Sequence, residues 1–416
     1  MAKREKLKRF LRKLLLVFAG IFVGCLIAEI GLRIIGYSYP IFYTPDDYRG
    51  YGPLPNVEGW SWTETKNYVK INSEGFRDRE HTKAKPADTV RIAVIGDSFA
   101  EARQVPMDQT FWSVMEQKLQ GCPAFAGKKV EVLNFGVGGY GTVEELLTLR
   151  QRVWDYSPDI VLLTITTYND IIDNYRPIKR ADELPYFVYK NGQLVYDDSF
   201  RTSSKYRWHD SFLFHAWIWL HNHSRFLQLC HHAQFAIRTW LQNWRAQHRA
   251  ASTTAQQSAG AQSQQPPTSA ELADEMGINN LIYREPDDND WKEAWHVIEG
   301  LITEMRDEVR QKGAKFMVVT LSTDIQVYPD KVVRENFMKR LGVSDLFYPN
   351  HRLQALAERE GIPFLDLAQP MQAYADQNKA FLHGFGKEIG NGHWNEAGHR
   401  VAGELISQRL CEGNLD

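Results

Sequence analysis

Four short stretches of this 416-residue chain carry side chains suited to acyl chemistry. The first is Arg91 to Arg103, RIAVIGDSFAEAR, in which Ser98 follows a Gly96-Asp97 turn. A serine hydroxyl attacks an ester when a base takes its proton and donors hold the oxyanion, usually with a third group that orients the base. Glycines that can offer backbone N–H groups lie in Asn134 to Thr142, NFGVGGYGT. An amide side chain is supplied by Tyr168-Asn169-Asp170, and an imidazole by His393 in GNGHWNEAGH. Each also has a simpler use. Gly96-Asp97-Ser98 can be a tight turn capping a helix, with Asp97 a turn or cap residue rather than an acid partner. Gly139 can serve only a turn, and Asn169 can cap a helix. His399 reads as a packing or helix-surface residue.

The surrounding elements decide whether these groups meet. Ile92 to Ile95 is a short apolar run ended by glycine, the pattern of a buried parallel strand. Further strands are expected at Val130 to Val137, Asp159 to Thr166, Lys315 to Leu321 and Ile362 to Leu367. Between them, Phe111, Val114, Met115 and Leu119 recur at helical spacing. Thr142 and Glu145 read as a capping box, and Trp291 to Val309 stripe a helix stopped by Gly313. Another helix is expected from His351 to Arg359, and a last one from Asn395 to Arg409. Apolar strands alternating with helices predict a parallel sheet covered on both faces, with ligands outside the carboxyl ends of its strands. All four stretches fall at strand ends or helix starts, so one sheet edge can gather them.

The termini and interruptions are distinct. Residues 2 to 13 are rich in Lys and Arg, residues 14 to 28 are wholly apolar, and Leu32 to Tyr37 extend the run past Glu29 and Arg33. This predicts an uncleaved transmembrane signal-anchor over 1–37, with Glu29 and Arg33 paired at i,i+4 or snorkelling. The basic flank places the N-terminus in the cytoplasm and the rest on the outer side. Residues 38–88 read as a β-containing lead-in with a strand near 68–72, and its Tyr and Trp can stack on sugars or simply pack. The sheet halves are 89–175 and 289–416. The segment 176–288 between them is an insertion. It holds a hairpin around Asn191-Gly192, aromatic helices from His209 to Arg249, and a disordered linker over 250–269. The aromatic helices fit packing against the core best, with a membrane surface or a lid as other uses. A net charge of −2 gives no argument for nucleic-acid binding. Cys25, Cys122, Cys230 and Cys411 form no CxxC motif, and no disulfide is assigned. The histidines near Cys230 match no metal-ligand spacing, so neither a metal nor another cofactor is expected.

The four stretches together resemble the SGNH, or GDSL-like, hydrolases over roughly 89–175 and 290–410. The resemblance implies a flavodoxin-like three-layer α/β/α fold. It also implies a serine esterase in which Ser98 is the nucleophile and His393 the base, with oxyanion donors from Ser98, Gly139 and Asn169. The chain departs from the family at Thr167, where a glycine is usual, and at the acid. The acid usually lies three residues before the histidine, at Gly390 here, or two before it in a polysaccharide-acetylation branch, at Asn391 here. Glu388, Glu396 and Asp366 are the nearby carboxylates, and a backbone carbonyl can also orient the ring. The substrate expected is an O-acyl, chiefly O-acetyl, ester, with an envelope or exported polysaccharide as its carrier. An O-acetyltransferase using the same site and a non-catalytic envelope scaffold are the other readings, and no protein partner is specified.

Overall fold

The computed structural model describes residues 2–257 and 280–413. These fall into two compact units, 2–41 with 212–257 and 42–211 with 280–413.

The larger unit is built on a five-stranded sheet: β1 (Thr89–Ile95), β2 (Lys129–Asn134), β3 (Ile160–Thr166), β4 (Lys315–Leu321) and β5 (Phe364–Asp366). The spatial order is β2-β1-β3-β4-β5 and every pairing is parallel. This is the flavodoxin-like order, whose switch point lies between β1 and β3. Alternate residues of the strands feed two cores. Ala93, Ile95, Val161 and Leu163 pack with helices Thr142–Gln151, Asn289–Gln311 and Tyr348–Glu360. Ile92, Val94 and Leu162 pack on the other face with Phe111–Leu119, Ala368–Asn378 and Glu396–Cys411. Burial on both faces is why these strands read as continuous apolar runs.

The local details refine several expectations. The helix after β2 begins at Thr142, and Glu144, not Glu145, accepts the Gly141 N–H at 3.0 Å. Asn191 and Gly192 both have positive φ in the hairpin Tyr186–Lys190/Gln193–Asp197, as a type I′ turn requires. Cys122 and Cys411 form a disulfide that the cysteine spacing had not indicated. The lead-in forms two antiparallel hairpins, Tyr43–Asp46/Gly50–Pro53 and Glu58–Ser61/Asn67–Lys70.

The smaller unit contains the helix Ala2–Ile34, long and apolar enough between Arg4 and Ile34 to cross a membrane and with its apolar window wholly exposed. Helices Phe212–His223 and Arg225–Gln257 complete the unit. Glu29 pairs with Arg33 at 2.8 Å, as expected from their spacing. Residues 250–257 continue the second helix, and the remainder of the expected linker lies outside the described residues. Packing of the aromatic side chains into a core is not what the structure has: Trp217, Trp219 and Trp240 are exposed. His221 and His231 approach each other at 3.1 Å. Among the described residues, no three His, Cys, Asp or Glu side chains are placed to hold a metal ion.

Candidate active site

Ser98 starts a single helical turn, Ser98–Glu101, at the carboxyl end of β1. The preceding turn is possible only with glycine, because a Cβ at Gly96 would lie 2.0 Å from Thr164 Oγ1. Asp97 is the N-cap and its Oδ1 accepts the Phe99 N–H at 2.9 Å. Its other oxygen accepts Asn169 Nδ2 at 2.8 Å, so the carboxylate beside Ser98 sets the position of the amide that follows β3. Burial raises the Asp97 carboxyl, while the bonds from Asn169 and Phe99 oppose this.

The loop after β2 passes beside Ser98. A Cβ on Gly138 would lie 3.6 Å from Ser98 Cβ and 2.6 Å from Glu101 Oε2. Glu101 Oε2 accepts the Gly138 N–H at 2.9 Å and Tyr43 Oη at 2.6 Å, with Arg103 Nε at 3.3 Å. Gly139 has φ +82°, and a Cβ there would meet Tyr51 Oη at 2.6 Å, so both conformation and space require glycine. Gly138 is therefore a structural donor. Among the described residues, the N–H groups of Ser98 and Gly139 and the second amide hydrogen of Asn169 engage no acceptor.

The His393 ring reaches the same point. Its Nε2 lies 2.7 Å from Ser98 Oγ. Its Nδ1 lies 2.5 Å from Glu64 Oε1, and its backbone N–H donates to Glu64 Oε2 at 3.2 Å. Burial would raise the Glu64 carboxyl, but hydrogen bonds from His393 and its charge outweigh this and hold it below the ordinary value. None of the carboxylates suggested by nearness in sequence touches the ring. Glu388 and Glu396 are exposed. Asp366 is occupied at the far edge of the sheet by Thr320 Oγ1, Asn350 Nδ2 and the Ala368 N–H. The usual acid position is unsuited to a side chain here: Gly390 has φ +95°, and a Cβ would approach the Tyr328 ring to 2.7 Å. Gly392, at φ +88°, leaves the space that the Glu64 carboxylate fills.

Glu64 carried no signal in the sequence, since it lies in the turn of a lead-in hairpin and meets a histidine 329 residues away. Its own φ is +60°, an uncommon backbone state for a non-glycine residue and one that clusters at functional sites. The histidine loop is braced from below. Buried His383 engages the Gly392 carbonyl through Nδ1 at 2.6 Å, and Ser322 Oγ through Nε2 at 3.1 Å. Burial pushes that imidazole down to about 4, so it stays neutral near neutral pH. Asp324 accepts the Gly392 N–H at 3.1 Å, and burial raises its carboxyl to about 6. His399 is a packing residue, stacked on Phe111 and accepting that residue's N–H.

No protein-family model matches the chain, and no curated protein matches it. Solved structures similar to it are esterases and acylhydrolases. The acetyl xylan esterase AlAXEase is 11% identical, with 78% of this chain and 100% of that chain covered and a TM-score of 0.37. The lipase/acylhydrolase from Enterococcus faecalis is 12% identical, with 79% and 97% covered and a TM-score of 0.34. Axe2, an acetylxylan esterase from Geobacillus stearothermophilus, is 10% identical, with 79% and 96% covered and a TM-score of 0.36.

Proposed function

We propose that the chain is a serine ester hydrolase of the SGNH type that cleaves O-acyl, chiefly O-acetyl, esters through an acyl-enzyme. The observation that carries this is the hydrogen-bonded series Ser98–His393–Glu64, with Asn169 and the Gly139 loop beside it. Ser98 Oγ attacks the acyl carbon as His393 Nε2 takes the hydroxyl proton. The oxyanion is held by the N–H groups of Ser98 and Gly139 and by the Asn169 amide. On collapse, the imidazolium gives its proton to the leaving alcohol oxygen. Water then gives a proton to His393 and attacks the acyl-enzyme, releasing the carboxylic acid and restoring Ser98. Glu64 holds the ring with Nε2 facing Ser98 and balances the imidazolium charge.

The reading extends to location. The apolar N-terminal helix is a single membrane anchor, with the N-terminus in the cytoplasm and the hydrolase unit outside, where an envelope or exported polysaccharide supplies acylated hydroxyls. The Cys122–Cys411 disulfide suits an oxidising compartment. A carboxylate facing His393 Nδ1, in a chain that has Gly390 and Asn391 at the usual acid positions, favours a catalytic over a scaffold reading. The test is turnover of 4-nitrophenyl acetate by the full chain in detergent, with Ser98→Ala as control. Activity and fluorophosphonate labelling lost together in the variant support the proposal. Equal rates and no serine labelling of the parent chain refute it. Acetyl transfer to an added oligosaccharide in place of hydrolysis would assign an acetyltransferase instead.

A further inference from the structure

The helices Phe212–His223 and Arg225–Gln257 share a compact unit with the apolar N-terminal helix, and the join between them is polar and specific. Glu29 accepts hydrogen bonds from Ser224 Oγ at 3.0 Å, the Arg225 N–H at 3.0 Å and the Phe226 N–H at 2.9 Å. It therefore caps the second insertion helix, satisfying N–H groups that a helix start leaves open. Arg33 donates to the His223 carbonyl at 2.9 Å. The Asn222 side chain pairs with both the N–H and the carbonyl of Ile41. The two insertion helices thus join the apolar helix near its carboxyl end.

Their outer faces are apolar and exposed. In Phe212–His223, the inward face is Phe214, Ile218 and His221, while Phe212, Leu213, Trp217, Trp219 and Leu220 are exposed. In the second helix, Leu229, Ala233, Ile237 and Trp240 recur at three- or four-residue spacing and are exposed. Gln234, Arg238 and Gln242 lie on the opposite side. Phe235 alone falls off the stripe. From 212 to 257 the sequence has no aspartate or glutamate, and it carries Arg225, Arg238, Arg245 and Arg249. Basic residues and tryptophans on an amphipathic helix are the composition of an element seated at a lipid interface.

We infer that these two helices lie in the outer membrane–water interface, with the Trp217–Trp240 side in the acyl boundary and Arg238 and Arg245 at anionic headgroups. The occupant of the apolar face is the bilayer that holds the N-terminal helix, and the inference rests on that helix being an anchor. The continuity of the exposed apolar surface with that helix, through the Glu29 cap, argues for lipid. So does the one-signed charge.

The test uses the full chain with Cys25→Ser and Cys230→Ser, reconstituted in vesicles that are about one-third phosphatidylglycerol in phosphatidylcholine. A bimane label is placed singly at Leu220→Cys, Trp240→Cys, Gln234→Cys, Arg238→Cys or Phe18→Cys. Brominated acyl chains should about halve emission at 18, 220 and 240, while aqueous iodide reaches 234 and 238. Iodide quenching without bromine quenching at 220 and 240 would overturn the inference. So would protection from both quenchers together with cross-linking of 240 to 240, which would assign the face to a second copy. Loss of bromine quenching at Phe18→Cys would refute the anchor itself. Retention there with loss at 220 and 240 would refute only the interfacial helices.

Discussion

Glu64 and His393 meet through two hydrogen bonds, one to the ring and one to the backbone, so the carboxylate fixes both the tilt and the position of the imidazole. Replacing the orienting acid of such a triad costs less than removing nucleophile or base. Ser98→Ala should lower kcat by about 10⁶-fold and Glu64→Gln by about 10³–10⁴-fold. Glu388→Gln and Glu396→Gln should stay within about twofold of the parent, because neither reaches the ring. Initial rates on 4-nitrophenyl acetate, with circular dichroism as the folding control, check all four. A second residue-scale effect lies behind the oxyanion loop. Burial raises the Glu144 carboxyl from its ordinary 4.5 to about 8. Between those values the folded chain holds a proton that the unfolded chain releases, so this group makes stability fall as pH rises through the window, levelling off above about 8. Glu144→Gln should flatten the slope of unfolding free energy against pH in that range, measured by urea titration, while keeping an acceptor for the Gly141 N–H.

At the scale of elements, the lead-in 38–88 proves to be part of the site rather than an approach to it. Arg77 is buried, and its guanidinium donates to the carbonyls of Glu101, Ala102 and Val105 at 2.8, 2.6 and 2.5 Å. It thereby closes the carboxyl end of the helical turn that bears Ser98. Asn67 Nδ2 adds bonds to the carbonyls of Arg103 and Val105. Tyr43 and Tyr51 hold the Gly138–Gly139 loop through Glu101 and the Gly138 carbonyl. Arg77→Leu would remove all three of these bonds, although the Val105 carbonyl keeps Asn67 Nδ2 and the Ala102 carbonyl keeps the Val105 N–H, and should cost about 3 kcal/mol of stability, read as a lowered urea midpoint. The same variant should lower kcat, because the turn that aims Ser98 loses its brace. The glycine at 96, the strand runs and the helix stop at Gly313 were legible because each depends on neighbours in sequence. The lead-in's role was not, since its hairpins contact the nucleophile segment only after the sheet has formed.

At the scale of the whole chain, the larger unit carries a long-range covalent link. Cys122 follows the helix Phe111–Leu119 and Cys411 ends the last helix, 289 residues later. Those two helices pack face to face on one side of the sheet, with Phe111, Met115, Val401 and Ile406 in a common core. Cys122→Ser with Cys411→Ser should lower stability by about 2–5 kcal/mol and lower the Tm measured under non-reducing conditions. Thiol titration of the unfolded parent chain should find Cys25 and Cys230 alone as free thiols.

Local rules were enough for the sheet, for the places where Ser98, Gly139 and Asn169 follow its strands and His393 precedes the last helix, and for the apolar N-terminal helix. A strand's apolar run, a turn's glycine and a helix's stripe are encoded within a few residues of one another. Besides the disulfide and the lead-in's bracing of the Ser98 turn, two choices of partner needed the folded chain. The group facing His393 Nδ1 is Glu64, because Gly390 and Gly392 sit at positive φ and leave room for a carboxylate only from outside the histidine loop. The insertion helices leave Trp217, Trp219 and Trp240 exposed, and the second of them starts on the carboxylate of Glu29 in the apolar helix. Both are long-range choices of partner. A hydrogen bond between residues hundreds of positions apart depends on which surfaces the fold brings together, and no local pattern records it.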